Sequence, residues 1–166
     1  MEIWDGYLSD GTLAGVDIVR GEPIPEGLYF LAVEILVRHT DGDYLLMQRD
    51  TGKPAFPGYY EATAGGAAQK GEDALTAAIR ELREETGIIC DDLIYLNNML
   101  YHKMLCYQYL CLTNCDKSSV TLQEGETIAY KWVSESDFIE FINSGKMIPT
   151  QRERHDTYFK KLGYVK

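Results

Sequence analysis

The chain has 166 residues, 45% hydrophobic and 25% charged, a size and balance that suit one soluble domain with its own core and would cramp two. Its formal net charge of −10 argues against a broad surface for duplex nucleic acid, which relies on Lys and Arg clusters. No apolar run is long enough to span a bilayer, and Met1-Glu2-Ile3-Trp4-Asp5 lacks the basic-then-apolar order of a secretory signal, so the expectation is a cytoplasmic protein without a membrane partner.

Residues 1–27 are glycine-rich and carry an Asp10-Gly11 turn signal, which predicts an N-terminal hairpin extension of a single domain spanning 1–166. Residues 28–38 read as a long apolar strand. Asp41-Gly42 then turns the chain back through a strand at 44–49. After the loop Lys53-Pro54-Ala55-Phe56-Pro57-Gly58, residues 59–63 predict a short strand into Gly65-Gly66. A helix over about 73–86 ends at Gly87, a residue type suited to a left-handed cap. Strands follow at about 93–101, 103–113 and 127–133. Ser134-x-x-Asp137 and Thr150-x-x-Glu153 are capping signatures for the final helices. This order gives an α/β class with a mixed sheet flanked by helices.

Four cysteines (Cys90, Cys106, Cys111, Cys115) lie in the C-terminal half near His102, without a C-x2-C pair. On a strand, Cys106 and Cys111 have opposite parity and point to opposite faces. Reduced, mostly buried thiols are therefore expected rather than a zinc site.

The helix over 73–86 carries the most informative pattern. Glu81, Glu84 and Glu85 crowd its end, and like charges four apart cost an isolated helix a few tenths of a kcal/mol. At 100° per residue, Ala78, Ile79 and Leu82 fall within roughly 60° of Leu75, an apolar stripe for a core. The three glutamates fall between about 180° and 280°, on a separate face. A divalent cation would offset their repulsion, and hard oxygen ligands suit Mg²⁺ or Mn²⁺.

Written out from Gly66 through Glu72 to Arg80-Glu81-Leu82-Arg83-Glu84-Glu85-Thr86-Gly87-Ile88, the run is G-x5-E-x7-R-E-U-x-E-E-x-G-U, with U aliphatic. It is similar to the signature box of the Nudix hydrolases (MutT-like), and a full chance match in a chain this long is on the order of 10⁻⁷. The resemblance implies a Nudix α/β/α sandwich with a mixed central sheet, in which the box forms a loop-helix-loop. It further implies a divalent-metal-dependent hydrolase that cleaves the diphosphate linkage of a nucleoside diphosphate derivative or similar small diphosphate. Glu81 and Glu85 would be the principal metal ligands, Glu84 a further ligand or water-activating group, and the Gly65 carbonyl a backbone ligand. Glu81, Glu84 and Glu85 are thus the expected catalytic residues, with Mg²⁺ or Mn²⁺ as cofactor. Glu72 and Arg80 are expected to brace the loop-helix-loop as an ion pair. In many relatives the general base lies in a later loop, where Glu124 or Glu126 would fit.

A wider pattern, Arg20-Gly21-Glu22 with Pro25, Gln48-Arg49, Lys53, Pro57-Gly58 and Ala64-Gly65-Gly66, resembles the Nudix branch near isopentenyl diphosphate isomerase over roughly residues 1–133. By that resemblance Arg49 and Lys53 hold the substrate diphosphate, as cations would. The isomerase reading itself fails on its own groups: Gly65 stands where the catalytic cysteine is needed, and Phe30 and Ala67 stand where metal-binding histidines are needed. A non-catalytic Nudix-fold binding module is the third reading, against which the chain keeps every box carboxylate. Tyr59, Tyr60, Tyr101, Tyr107 and Tyr109 are candidates to stack a nucleobase, though tyrosines on half-buried strands usually pack. Substrate identity and a homodimer are left open.

Overall fold

The computed structural model describes Met1–Lys166. In chain order the strands are β1 (Ile3–Tyr7), β2 (Leu13–Val19), β3 (Tyr29–His39), β4 (Tyr44–Arg49), β5 (Tyr60–Glu61), β6 (Thr63–Ala67), β7 (Ile94–Tyr101), β8 (Met104–Thr113) and β9 (Thr127–Val133). The helices are α1 (Ala74–Thr86), between β6 and β7, and then α2 (Glu135–Asn143), α3 (Pro149–Arg154) and α4 (Asp156–Lys161) after β9.

Strand β3 sits at the centre because its apolar run is buried on both faces, as a strand with a parallel neighbour requires. On one side it pairs in parallel with β8 along its whole length, from Phe30 opposite Met104 to His39 opposite Thr113. Three partners share its other side. The β1 end meets Tyr29 and Phe30, β6 runs antiparallel from Ala32 to Leu36, and β4 meets Arg38. From there β4 diverges and pairs antiparallel with β5 and β9. The chain crosses from β4 to β3 at Ala62, so the single strand expected over 59–63 is two strands with a step between them.

Odd-numbered residues of β3 (Leu31, Val33, Ile35, Val37) pack with Ala77, Ala78 and Leu82 of α1. On the opposite face Leu36 joins Tyr44, Phe138, Ile142 and Phe159 of the C-terminal part. Helices therefore cover both faces of a mixed sheet, the α/β/α sandwich anticipated from the sequence.

The ends of α1 are set locally. Asp73 accepts the Thr76 N–H (2.8 Å), and Gly87 closes the helix at φ 73°. Ser134 caps α2 in the same way through Asp137 N–H (3.1 Å). The expected Thr150 cap of α3 is not used. Pro149 occupies the first turn, where its missing N–H costs nothing, so the helix begins two residues early and Thr150 lies inside it. The chain breaks between α3 and α4 at His155, a fully buried residue, and Arg154 beside it turns inward to Glu34 of β3.

The C-terminal helices are part of the core. Phe138 is fully buried and stacks on Tyr44 with ring centroids 4.0 Å apart. Phe138→Ala should cost about 4 kcal/mol in urea or guanidinium unfolding, as large-to-small core changes do. A cost below about 1 kcal/mol, a surface-like value, would show that α2 is peripheral.

Candidate active site

Gly65 and Gly66 of β6 fix the site because no side chain fits there. A Cβ on Gly65 would lie 2.0 Å from the Val33 carbonyl oxygen of β3, and one on Gly66 would lie 2.7 Å from the Glu81 carboxylate. The first glycine lets β6 lie against β3. The second leaves room for the α1 carboxylate over the strand backbone. Close approach to Val33, rather than to a ligand, is what demands glycine at 65.

The α1 geometry corrects one expectation. Its buried residues are Ala77, Ala78, Leu82 and Thr86, while Leu75 is 42% exposed. At 100° per residue, Glu81 and Glu85 fall between Ala77 and Ala78 on the inward arc, not on a separate outer face. Only Glu84 of the three is well exposed, at 45% of its side chain. The sheet thus takes in two acidic side chains with the apolar ones.

Arg80 organises the box. It grips both Glu72 oxygens (2.7 and 2.9 Å), donates to Glu81 (2.7 Å) and Glu84 (3.2 Å), and reaches the Ala67 carbonyl (3.1 Å). The Glu72–Arg80 brace is present as expected. Glu85 instead accepts the Gly65 N–H (3.0 Å). Burial pushes Glu85 well above the ordinary carboxylate range; the Gly65 bond opposes this, and the charges of Glu61, Glu81 and Glu126 add to it. Burial also raises Glu81, against the pull of Arg80.

A cleft of about 580 Å³ brings together most of the predicted residues: Gly65, Glu81, Glu84 and Glu85 on one side, with Arg49, Lys53 and Glu126 also in its wall. Glu124 is exposed and outside that wall. Both cations are engaged by carboxylates, Arg49 with Glu61 (2.8 Å) and Lys53 with Glu126. The five candidate tyrosines do not line the cleft. Tyr59 packs edge-on to Phe56 and Tyr60 lies under Lys131, while Tyr101 bonds Glu153, and Tyr107 and Tyr109 pack with the core and are flanked by the exposed Tyr95. Cys111 joins the core on the α1 side, whereas Cys106 meets Glu34 on the other face.

Several lining residues went unnoticed in the sequence. Glu61 reaches the cleft because the chain steps at Ala62, whose N–H bonds Gln151 (2.9 Å) from α3. Arg154 pairs with Glu34 in the floor. Trp4 of β1 stacks on Phe30 (4.6 Å) in the wall. Long-range packing alone unites them, so no local pattern marks them.

The donor set at the box is entirely oxygen. No three His, Cys, Asp or Glu side chains already close on one point. Arg80 draws Glu81 and Glu84 together, and the Glu81 carboxylate lies against the Gly66 backbone. The chemistry of these donors fits a hard divalent cation.

The signature of the NUDIX domain family matches residues 28–158. The chain belongs to the Nudix hydrolase family. It is 30% identical over 151 residues to the uncharacterized Nudix hydrolase lmo0368 of Listeria monocytogenes, covering 90% of this chain and 89% of that protein. The structure of DR0079 from Deinococcus radiodurans superposes with a TM-score of 0.71 at 20% identity, covering 87% of this chain and 91% of that one. A bifunctional NMN adenylyltransferase/ADP ribose pyrophosphatase from Francisella tularensis gives 0.65 at 20% identity, covering 83% and 42% respectively. Nudix hydrolases as a family generally use divalent metals and act on small diphosphate substrates.

Two outcomes follow from this geometry. Gly66→Ala should leave the fold intact, because the clashing group is the mobile end of Glu81, yet weaken Mn²⁺ binding by at least about tenfold; calorimetry with unchanged affinity would contradict the reading. The second concerns pH. Glu85 and Glu81 hold protons to higher pH folded than unfolded, so the stability that these two groups contribute to the metal-free protein should fall as pH rises from about 4.3. Because a cation must displace those protons, Mg²⁺ should raise Tm more at about pH 8 than at about pH 5. Equal Tm gains would contradict it.

Proposed function

We propose that this Nudix hydrolase is a Mg²⁺- or Mn²⁺-dependent pyrophosphohydrolase that cleaves the diphosphate linkage of a nucleoside diphosphate derivative. The observation that carries the reading is one cleft holding the box carboxylates and two cations, Arg49 and Lys53, together. Glu81, Glu85 and the Gly65 carbonyl would hold the cation, with Glu84 as a further ligand. When bound, the cation neutralises diphosphate charge and acidifies a water.

The chain's own groups do the rest. Arg49 and Lys53 offer charge-assisted hydrogen bonds to the diphosphate oxygens, which compete with Glu61 and Glu126 for them. Displacement of Glu126 from Lys53 would free a carboxylate in the cleft wall to accept a proton from the attacking water. Glu84 is the alternative acceptor, and Glu124 is set aside because it lies outside the wall. Gly65 provides no thiol for isomerase chemistry. The ADP ribose pyrophosphatase among the structural neighbours makes ADP-ribose a first compound to test.

The test is a hydrolysis screen over nucleoside di- and triphosphates, sugar nucleotides, ADP-ribose and dinucleotides with Mg²⁺ or Mn²⁺. Glu85→Gln should lower kcat at least about 100-fold. Lys53→Ala should chiefly raise KM, by about tenfold for one lost charge-assisted bond. Absence of turnover above the Glu85→Gln background on every compound would refute the activity.

A further inference from the structure

The N-terminal hairpin of β1 and β2 lies outside the family-matched residues 28–158, yet it is fastened to the box loop and forms part of the cleft. Lys70 N–H bonds the Ile3 carbonyl (3.1 Å), Gly71 N–H bonds Asp5 (2.7 Å), and the Lys70 ammonium pairs with Asp17 (2.6 Å). This docking brings Trp4 onto Phe30 with ring centroids 4.6 Å apart and planes at 23°. Glu2 fixes the indole by accepting its N–H (2.9 Å) and holds Arg20 with its other oxygen (2.6 Å). Gln69, anchored through its backbone to Glu72 (2.8 Å), lines the same cleft and brings an amide with both donor and acceptor.

Strand register sets the distance from the box. Glu34 lies opposite Gly65, and Phe30 is four residues away on the same face of β3, roughly 13 Å along a strand. That span matches the reach of a nucleoside diphosphate from its distal phosphate to its base. The wall itself selects a chemical class. A hydrocarbon group laid here would desolvate Arg20, Glu2 and Gln69 without pairing them, which is unfavourable. A bare sugar would leave the cleft side of the Trp4–Phe30 stack without a planar partner. A heteroaromatic ring satisfies both, stacking on the rings and bonding the polar groups through its edge.

Resting on the diphosphate reading above, we propose that the hairpin builds a nucleobase subsite at the far end of the cleft. Trp4 and Phe30 form its stacking wall, and Arg20 and Gln69 are its edge-reading groups. The hairpin is thereby the specificity element for the base-bearing part of the substrate.

The chain has two tryptophans, Trp4 and Trp132, and Trp132 is held outside the cleft by its bond to the Lys117 carbonyl (3.0 Å). In a Trp132→Phe variant, Trp4 is the sole indole reporter. With Mg²⁺ present, α,β-methylene-ADP should change its emission saturably, while methylenediphosphonate should not. Calorimetry in the otherwise unaltered protein gives a second reading. Phe30→Leu keeps an apolar side chain but removes the ring, and should weaken α,β-methylene-ADP by about five- to 100-fold while leaving methylenediphosphonate unchanged. Equal responses of Trp4 to both ligands, equal losses for both in Phe30→Leu, or no binding of α,β-methylene-ADP would overturn the subsite. Substrate hydrolysis without a Trp4 response would sink the subsite and leave the hydrolase standing. A Trp4 response without any hydrolysis would support the subsite and refute the activity.

Discussion

Glu81 and Glu85 lie against the glycine backbone of β6, where burial disfavours their charge, and the arrangement of the site follows from that cost. Removing a carboxylate from water is worth several kcal/mol unless something positive or hydrogen-bonding replaces the solvent. Arg80 supplies this for Glu81, but Glu85 has only the Gly65 N–H. Glu61 and Glu126 add further negative charge around it. By contrast, the half-exposed Lys70–Asp17 pair is screened by solvent and serves mainly to locate the hairpin. The electrostatics that disfavour charge on Glu81 and Glu85 would favour a divalent ion among them.

The framework that holds these groups is assembled from distant parts of the chain. Strand β6 delivers the glycines, and α1 delivers the carboxylates over them. Gln151 satisfies both Ala62 N–H and the Thr63 hydroxyl (2.8 Å), so α3 pins the step at which Glu61 enters the cleft. Arg154, next along, neutralises the buried Glu34 in the floor. The final helices are therefore structural supports of the cleft, and Gln151 and Arg154 also line it.

Much of this was legible in the sequence because it is encoded locally. The box spacing, the Asp73 and Gly87 boundaries and the apolar run of β3 all appear in short windows. The inward turn of Glu81 and Glu85 was not, since a helical wheel assumes that apolar residues define the buried face. Here small alanines, Ala77 and Ala78, let the sheet approach on the acidic side, while Leu75 is left outside. Thr150 misled for a simpler reason: Pro149 fits the first helical turn better than a threonine cap does. Glu61, Trp4 and Arg154 reach the cleft only through tertiary packing, at which sequence spacing does not hint.

The proposed hydrolysis depends on a divalent cation held by the box carboxylates. Electron paramagnetic resonance of Mn²⁺ titrated into the protein tests it directly, because free and bound Mn²⁺ give different signals without any substrate. Mn²⁺ should bind saturably to the unaltered chain and fail to bind the Glu81→Gln, Glu85→Gln double variant, with the fold preserved. Equal Mn²⁺ binding by the two proteins would contradict it.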